Sequence, residues 1–283
     1  MKPRRCRRRR RDEVWRTRAE AMNSGVMDTN EKAYQNKAVL ITGASRGIGR
    51  AAARAFAVRG ARVAVHYHRN QEAARRTMSD LPGGPHEMFS GDLSEADVPR
   101  RLIEQTVESF KRLDVLVNNA GIFQTHPIGE IDFEQWRQVW ERTLAVNLRG
   151  PADLMYWAAR QMAAQGGGHI VNVSSRGAFR GEPEAPAYGA SKAGLNALSQ
   201  SLAQALAPEH VYVAVVAPGF VRTDMAAEVL SGPAGGDIER QSPLGRVAEP
   251  EEVAEVILFL ASEKANYLTG AIVDVNGASY LRS

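Results

Sequence analysis

The sequence predicts one α/β domain, in which helices cover both faces of a doubly wound parallel sheet of about seven strands. Short apolar runs alternate along residues 37–283 with longer segments of helical periodicity, and this alternation is typical of βαβ units. The first run, residues 37–42, shows no polar alternation and ends in a glycine-rich turn. A parallel strand that is buried on both faces has this pattern.

The remaining elements follow the same alternation. We predict strands at residues 37–42, 61–67, 86–90, 114–118, 169–174, 211–216 and 271–275. We predict helices at residues 47–59, 71–80, 94–112, 133–165 and 250–262. A further predicted helix contains Tyr188 and ends at Ala207. Ser94 is the expected N-cap of the third helix, because its hydroxyl can accept a hydrogen bond from a first-turn amide. Residues 218–247 are rich in Gly, Pro and small side chains, so we expect a mobile loop with one short helix there.

Charge is unevenly distributed along the chain. The whole chain has a net charge of +4, but residues 1–36 alone carry eleven Lys and Arg against five Asp and Glu. The remainder is therefore slightly acidic. We predict that residues 1–36 form a disordered basic extension and that residues 37–283 form the catalytic domain. The arginine run could tether nucleic acid or an anionic membrane, but we favour an extension without that function and expect neither partner.

The composition also limits compartment and cofactor. Cys6 is the only cysteine, so no intrachain disulfide can form, which fits a reducing, cytoplasmic location. No apolar run approaches the roughly 20 residues that span a bilayer, and no apolar stretch follows the basic N-terminus as in a secretory signal. The six histidines are scattered without metal-ligand spacing, and we expect no metal.

A glycine-rich turn follows the first strand directly and opens the first helix. It reads Thr42-Gly43-Ala44-Ser45-Arg46-Gly47-Ile48-Gly49. Glycines let the backbone turn tightly and approach a pyrophosphate closely. The free amides and the positive end of the helix dipole then favour an anion. The turn alone is a weak signal, but its position between the first strand and the first helix favours nucleotide binding over a purely structural turn.

A phenol and an ammonium share one helix face further along the chain. Tyr188 and Lys192 are four residues apart, and Ser175 lies thirteen residues before Tyr188. Residues at this helical spacing are neighbours. Phenol, ammonium and hydroxyl together can move a proton on or off a carbonyl oxygen. Ser174 is a possible rival to Ser175, although we expect it to be only a hydroxyl at the strand end.

These motifs resemble the short-chain dehydrogenase/reductase family, and more narrowly its 3-oxoacyl-[acyl-carrier-protein] reductase-like members. The resemblance covers residues 37–278. It depends on the glycine loop with Gly-x-x-x-Gly-x-Gly spacing, Asn118-Asn119-Ala120-Gly121, Asn147, Ser175, Tyr188 with Lys192, and Pro218-Gly219. It implies a Rossmann-type fold and a homotetramer or dimer built through the helices at 133–165 and 187–207. It also implies that Asn147, Ser175, Tyr188 and Lys192 are catalytic.

The resemblance further implies a set of cofactor contacts. They are Gly43, Ser45, Arg46, Gly47, Ile48 and Gly49 for phosphate, Asp92 and Leu93 for adenine, Asn119, Ala120 and Gly121 for ribose, Tyr188 and Lys192 beside the nicotinamide, and Pro218, Gly219, Val221 and Thr223 for the carboxamide. The alternative is that residues Asn118 to Gly121 form only a turn that ends the strand.

The end of the second strand indicates which dinucleotide binds. An acidic residue there commonly binds the ribose 2′-hydroxyl, whereas a basic residue accommodates a 2′-phosphate. Here the segment 65–70 contains no acid and includes Arg69. Arg69 and Arg46 could clamp a phosphate through their planar guanidinium groups. We therefore expect NADP(H) rather than NAD(H); the alternative is that Arg69 is a solvated loop residue.

Asn147 precedes a proline by four residues. Because Pro151 has no amide hydrogen, it cannot bond the carbonyl of Asn147. In the resembled family, the matching asparagine helps to anchor a water that links the active-site lysine to solvent. Our hypothesis is that Pro151 kinks the helix and leaves this carbonyl open for the relay. The alternative is that Gly150 and Pro151 form a loop between two helices.

The predicted activity is NADP(H)-dependent hydride transfer between the nicotinamide and a carbonyl or secondary alcohol carbon, with Tyr188 as general acid or base. We expect the Lys192 ammonium and the oxidised nicotinamide to favour the Tyr188 phenolate. Segments 176–187 and 220–247 should shape the substrate pocket.

The substrate stays open. Segments 163–168 and 208–210 lack Lys and Arg, which weakens a 3-oxoacyl-[acyl-carrier-protein] reductase because an acidic carrier would need basic contacts. Sugar, polyol and small-ketone substrates are alternatives. A remote alternative is a regulator that binds NADP(H) without catalysis. The presence of Ser175, Tyr188 and Lys192 argues against this alternative.

Overall fold

The structure is a computed structural model that describes residues 33–233 and 235–282. In this part of the chain, seven parallel strands form one sheet in the order β3-β2-β1-β4-β5-β6-β7. The strands are β1 (Ala38–Ile41), β2 (Arg62–Tyr67), β3 (Glu87–Ser90), β4 (Val115–Asn118), β5 (Gly168–Val173), β6 (Val211–Pro218) and β7 (Ile272–Val275). The predicted fold class and strand number are confirmed.

Ten α-helices connect and follow the strands in the described residues. They are α1 (Gly47–Val58), α2 (Gln71–Ser79), α3 (Val98–Phe110), α4 (Phe133–Leu144), α5 (Gly150–Ala164), α6 (Gly177–Arg180), α7 (Pro186–Leu206), α8 (Asp224–Ser231), α9 (Gly235–Arg240) and α10 (Pro250–Leu260). A π-helical segment, Ala145–Arg149, joins α4 to α5, so that residues 133–164 are helical without a break. None of the helices in the described ranges is long and apolar enough to cross a bilayer.

Two apolar layers pack against the sheet, one on each face. In β1, Val39 and Ile41 face the layer formed with α1, α2 and α10, whereas Ala38 and Leu40 face the layer formed with α3, α5 and α7. All four side chains are fully buried. Alternate side chains of a strand point to opposite faces, so a strand that is covered on both sides must be apolar throughout. This is why residues 37–42 show no polar alternation.

The strand order reverses between β1 and β4. The chain moves outwards from β1 to β2 and β3, and then returns to β4 on the other side of β1. The connections that leave the carboxyl ends of β1 and β4 therefore diverge and open a crevice. In open α/β sheets, ligands bind in this crevice. The fold thus places the glycine loop and residues 118–121 at one end of the sheet.

The structure corrects the predicted start of the third helix, its predicted N-cap and the predicted number of short helices in residues 218–247. The third helix begins at Val98 rather than residue 94, and Ser94 does not cap it; instead the Ser94 hydroxyl donates to the Asp92 carboxylate at 2.8 Å. Residues 218–247 contain two short helices, α8 and α9, rather than one. The prediction of one short helix missed the second, because helices of eight and six residues are too short to show a clear helical periodicity in the sequence.

The fold also begins before residue 37. Tyr34 is buried at 5% exposure, its hydroxyl donates to the carbonyl of Leu258, and its ring packs edge-on against Phe56 at 4.8 Å. The amide of Asn36 donates to the carbonyl of Gly60. The boundary predicted at residue 37 is therefore slightly late. The rest of the predicted extension, residues 1–32, lies outside the described residues.

Candidate active site

The glycine loop forms a tight turn at the carboxyl end of β1. Gly43 and Gly47 have φ angles of +63° and +54°, which L side chains rarely adopt. A Cβ on Gly49 would lie 2.4 Å from the carbonyl oxygen of Gly43 and 2.5 Å from Nδ2 of Asn119, so only glycine fits there. Arg46 stands at the N-cap of α1 without a side-chain cap. The first amides of α1 are therefore available to an anion.

Residues 118–121 brace this loop. The Thr42 hydroxyl accepts hydrogen bonds of 3.0 Å from the amides of Asn119 and Ala120. In return, Nδ2 of Asn119 donates to the carbonyls of Thr42 at 2.9 Å and of Gly43 at 3.1 Å. The segment does more than terminate β4, because it fixes the geometry of the phosphate loop across 76 residues of sequence.

The predicted catalytic side chains meet above the carboxyl end of β5. Tyr188 and Lys192 lie on α7, with the Lys192 ammonium nitrogen 5.8 Å from the centre of the Tyr188 ring. Ser175 follows β5, and its hydroxyl lies close enough to the Tyr188 phenol to lower the pKa of that phenol. Its oxygen also accepts a hydrogen bond of 3.0 Å from the Gly177 amide. A separate segment thus delivers the hydroxyl to the helix.

Ser174 points elsewhere. It is buried at 4% exposure, and its hydroxyl is directed at the carbonyl of Lys192 at 3.4 Å. The two serines are neighbours in sequence and both follow β5, but their hydroxyls have different surroundings. Only Ser175 therefore reaches the phenol.

Burial dominates the charge states of the Tyr/Lys pair. Burial raises the pKa of Tyr188 to about 12, against the smaller opposing effect of the bond to Ser175. Burial also lowers the pKa of Lys192 to about 8. We expected Lys192 to favour the phenolate. In this structure burial has the largest effect and raises the pKa of Tyr188, and the group that lowers this pKa is the Ser175 hydroxyl rather than Lys192. With its own residues alone, the site presents a neutral phenol near neutral pH.

Asn147 lies in the π-helical segment and is fully buried. The amide of Gly150 donates to the carbonyl of Ala145, five residues back. The helix is thus irregular at this position but continuous, and the alternative of a loop at Gly150 and Pro151 is wrong. The carboxamide of Asn147 accepts from the Ile122 amide and donates to the Ile122 carbonyl, both at 2.9 Å. That its carbonyl holds a relay water stays a prediction.

Gly121 places Asn147 and Lys192 side by side. A Cβ on Gly121 would lie 3.4 Å from Oδ1 of Asn147 and 3.5 Å from Nζ of Lys192. The side chain of Asn147 also donates to the Ser191 hydroxyl on α7 at 3.2 Å. The segment after β4, the π-helical segment and α7 therefore converge on the lysine.

Asp92 and Leu93, the two residues expected to contact the adenine, have different environments in the structure. The Asp92 carboxylate accepts hydrogen bonds from Arg142 at 2.8 Å and from the Ser94 amide at 3.0 Å, and His68 lies 3.3 Å away. Burial raises the pKa of Asp92, but the bonds from Arg142 and Ser94 together hold it well below its usual range. Leu93 is buried in the core. Arg142 and His68 were not found from sequence, because they lie on distant segments.

The expected 2′-phosphate ligands lie at the open side of the loop. Arg69 is exposed after the end of β2. Arg46 is also exposed, and its guanidinium lies 3.7 Å from the Asp224 carboxylate at the start of α8. Ser45 accepts a hydrogen bond of 3.2 Å from Thr77 through its carbonyl, and Ile48 packs against the core.

The segment 218–223 crosses from β6 to the glycine loop. The carbonyl of Pro218 accepts from the amide of Arg176, and the amide of Gly219 donates to the carbonyl of Val275. Val221 is buried and pairs with Ala248 in an isolated parallel bridge. The Thr223 methyl lies 3.0 Å from the position that a Cβ on Gly47 would occupy, so the segment packs against the glycine loop.

Sequence reasoning missed two residues beside Tyr188. The Phe123 ring packs edge-on against the Tyr188 ring at 5.0 Å between ring centres and is 42% exposed. His126 is buried and bonds the first turn of α7. The sequence signal that was available was their position directly after Asn118-Asn119-Ala120-Gly121.

Comparisons with known proteins agree with this geometry. Residues 43–278 match the family model described as Enoyl-(Acyl carrier protein) reductase. A 3-oxoacyl-[acyl-carrier-protein] reductase of Staphylococcus aureus is 36% identical over 87% of this chain and 98% of its own length. An L-rhamnose 1-dehydrogenase (NAD(P)(+)) of Azotobacter vinelandii is 39% identical over 87% of this chain and 97% of its own.

A solved structure shows the same fold with a nucleotide bound. A short-chain dehydrogenase from Burkholderia cenocepacia, in complex with NADP, superposes with a TM-score of 0.78 at 29% identity, over 87% of this chain and 99% of its own. Fold, site geometry and relatives agree. This chain belongs to the short-chain dehydrogenase/reductase family of oxidoreductases.

Proposed function

We propose that this protein is an NADP(H)-dependent oxidoreductase that interconverts a carbonyl and a secondary alcohol, with Tyr188 as proton donor and acceptor. The observation that carries the proposal is the contact of the Tyr188 phenol with Ser175, in front of the buried ammonium of Lys192. This arrangement provides a proton and a hydroxyl donor for one oxygen atom. It also argues against a non-catalytic NADP(H)-binding regulator.

The residues present fit a phosphorylated dinucleotide. The close approach at Gly49 leaves room only for backbone, and α1 begins without a side-chain cap. Both features suit a pyrophosphate. The two exposed arginines, Arg46 and Arg69, and the lack of an acid in segment 65–70 favour a 2′-phosphate. When bound, NADP(H) supplies or accepts a hydride at nicotinamide C4.

The protein's own groups handle the oxygen and its proton. The Ser175 oxygen accepts from Gly177, so its own hydrogen can point at the Tyr188 oxygen or, once substrate is bound, at the substrate carbonyl. Tyr188 then donates its proton as negative charge develops on that oxygen. Because the Tyr188 pKa is about 12, the phenol is protonated near neutral pH and ready for reduction. In the reverse direction, alkaline solution and a nearby cation would help the phenol to act as a base.

Lys192 acts behind the tyrosine. Its nitrogen is buried and donates to the carbonyl of Val173, which orients it towards Tyr188 and the expected ribose. Asn147 holds the segment of Ile122 against α7. We propose that the four residues work as one unit, in which Asn147 and Lys192 resupply the proton that Tyr188 gives away.

Two substrate classes remain candidates. A 3-oxoacyl-[acyl-carrier-protein] reductase and a sugar dehydrogenase are similar to this chain at comparable identity. The segments 163–168 and 208–210 lack the basic residues that an acidic carrier would contact. We therefore favour a small free carbonyl or sugar over a carrier-bound acyl chain.

We also propose a cytoplasmic homo-oligomer, a tetramer or a dimer, that assembles through α4, α5 and α7. Exposed aromatic side chains support an interface on these helices, since Phe133 and Tyr156 are 76% and 55% exposed.

The test is a panel of carbonyl and alcohol substrates followed by NADPH absorbance. The panel contains a 3-oxoacyl thioester, small ketones, aldoses and polyols. We expect turnover of at least one class by the wild type and loss of roughly 10²- to 10⁴-fold in Tyr188→Phe. A Tyr188→Phe variant that turns over the same substrate at the wild-type rate would refute the role of the phenol.

A further inference from the structure

We propose that His126 is a positioning residue that holds the catalytic helix in place through its neutral imidazole. The inference deepens the proposed function and depends on it, because His126 would act through Tyr188. His126 lies in the segment that follows residues 118–121, and it is 1% exposed. Its ring reaches the first turn of α7 at Ala187, the residue directly before Tyr188.

The start of α7 has one amide that its own residues do not satisfy. Its N-cap, Ala185, offers no side-chain hydrogen bond, and Pro186 has no amide hydrogen. The amide of Tyr188 bonds the Ala185 carbonyl at 3.0 Å. The amide of Ala187 donates instead to Nε2 of His126 at 3.2 Å. A ring nitrogen thus fills the place that Ser, Thr, Asp or Asn usually takes at a helix start.

The same contact determines the protonation of the ring. Because Nε2 accepts from Ala187, it carries no hydrogen. Nδ1 lies 2.8 Å from the carbonyl of Gln124 and therefore carries the hydrogen and donates. The ring is neutral, with both nitrogens used. The backbone adds a second tie, since the His126 amide donates to the carbonyl of Glu184 at 2.7 Å.

Protonation would reverse the contact with Ala187. An imidazolium has hydrogens on both nitrogens, so Nε2–H would oppose the amide hydrogen of Ala187. The added positive charge would also lie at the positive end of the α7 dipole. Both effects push the first turn of α7 away from segment 122–126. Tyr188 is in that turn, and Phe123, whose ring packs on it, is in that segment.

Charged and titratable groups lie on the elements that neighbour the imidazole. They are Glu182 and Glu184 before α7, Tyr188 and Lys192 on α7, and Glu134 and Arg137 in the first two turns of α4. Glu134 and Arg137 are both more than half exposed. None of these groups replaces the acceptor, because the bond to the Ala187 amide is made by His126.

Two substitutions of His126 test the roles of its two ring nitrogens separately. His126→Gln can still accept from Ala187, because the Gln Oε1 reaches about as far as Nε2. His126→Asn is shorter, so it can keep the donor to Gln124 but not the acceptor for Ala187. We expect roughly 10- to 100-fold lower kcat in His126→Asn with an unchanged KM for NADPH, since small misplacements of a reacting group are costly. His126→Gln should restore kcat to near the wild-type value.

A readout that needs no turnover comes from Trp136, whose ring is 5.2 Å from the His126 ring. Protonated imidazole quenches indole emission. Wild-type fluorescence should therefore fall in one step on acidification, and the step should be absent in His126→Gln and in Trp136→Phe. Hydrogen exchange at the peptide covering residues 186–190 should be faster in His126→Asn than in the wild type, and normal in His126→Gln.

These results distinguish the two proposals. If the wild type turned over no carbonyl or alcohol, the proposed function would fail, while the fluorescence and exchange results would still decide whether His126 holds α7. Wild-type exchange at residues 186–190 in His126→Asn, or an acid quenching step that persists in His126→Gln, would overturn the inference about His126.

Discussion

The ammonium nitrogen of Lys192 donates a hydrogen bond of 2.8 Å to the carbonyl oxygen of Val173. This bond joins α7 to the last residue of β5, two residues before Ser175. It holds a cation in a site where Lys192 is only 4% exposed. Burial of that charge lowers the pKa of Lys192 to about 8, so the group that we propose to be catalytic should also affect stability.

Lys192→Met should separate the two effects. We expect kcat/KM to fall by at least roughly 10²-fold. In the wild type, the folded pKa of Lys192 lies below the unfolded value, so the unfolded chain binds more protons between about pH 8 and pH 10.5. The unfolding free energy of the wild type should therefore rise relative to Lys192→Met across this window, by up to about 3 kcal/mol. Urea unfolding of both proteins at several pH values measures the difference, and parallel curves would contradict it.

The two adjacent serines should differ sharply when each is replaced. Ser175→Ala removes the hydroxyl that contacts Tyr188, and we expect kcat to fall by roughly 10²- to 10³-fold, as for loss of an oxyanion donor. Ser174→Ala removes only the bond to the Lys192 carbonyl. It should keep activity within a few fold and lose about 1 kcal/mol of stability. Steady-state kinetics and urea unfolding of both variants are the measurements, and equal kinetic losses would mean that the assignment of Ser175 is wrong.

Arg69→Ala should weaken the preference for NADPH over NADH by roughly tenfold or more, because a charge-assisted bond to a phosphate contributes about 1.5–3 kcal/mol. Arg46→Ala should act in the same direction and also break the contact with Asp224. Arg75 is an exposed arginine on α2. Arg75→Ala is the matched control and should change neither the KM for NADPH nor the KM for NADH. The ratio of kcat/KM for the two cofactors is the measurement. An unchanged ratio in Arg69→Ala would remove Arg69 from the cofactor site.

Gly49→Ala should distort the glycine loop. The new methyl would lie 2.4 Å from the Gly43 carbonyl and 2.5 Å from the Asn119 amide, and such overpacking costs typically about 1–3 kcal/mol. Gly129→Ala meets nothing within 4 Å and should stay within about 0.5 kcal/mol of the wild type. NADPH binding, followed by cofactor fluorescence, should weaken at least tenfold in Gly49→Ala alone. Equal affinity in both variants would mean that the loop does not contact the cofactor.

His66 should make the protein sensitive to acid. Its Nδ1 accepts from the Gly43 amide at 3.3 Å and its Nε2 contacts the Gly91 carbonyl at 3.1 Å, which requires a neutral ring. Burial lowers the pKa of His66 to about 4. Between pH 6.5 and about 4 the unfolded chain takes up a proton that the folded chain does not, so His66 reduces stability by up to about 3 kcal/mol as the pH falls through this window.

The matched variants are His66→Asn and His210→Asn. His66→Asn should flatten the fall in unfolding free energy between pH 6.5 and 4, because the titrating group is gone. His210 is exposed with a φ of +57°, a conformation that asparagine tolerates, and His210→Asn should leave the slope unchanged. The same slope in all three proteins would show that His66 is not the group responsible.

Local patterns were enough to predict the elements and motifs. Apolar runs at strand length and helical periodicity predicted the seven strands, and the position of the glycine loop after β1 predicted a nucleotide crevice. The error at the start of the third helix has a tertiary cause. Ser94 has the chemistry of an N-cap, but the Asp92 carboxylate, held by Arg142 from 50 residues away, binds its hydroxyl instead. No local pattern contains such a competitor.

The sequence by itself determined the strand and helix order, the chemistry of the loop after β1 and the spacing that brings Tyr188 and Lys192 to one face of α7, because these depend on neighbours along the chain. Only the tertiary structure decided that Ser175 rather than Ser174 lies beside the phenol, that burial raises the pKa of Tyr188, and that His126 bonds the first turn of α7. The physical reason is that burial and hydrogen-bond partners are set by residues that are distant in sequence and adjacent in the fold.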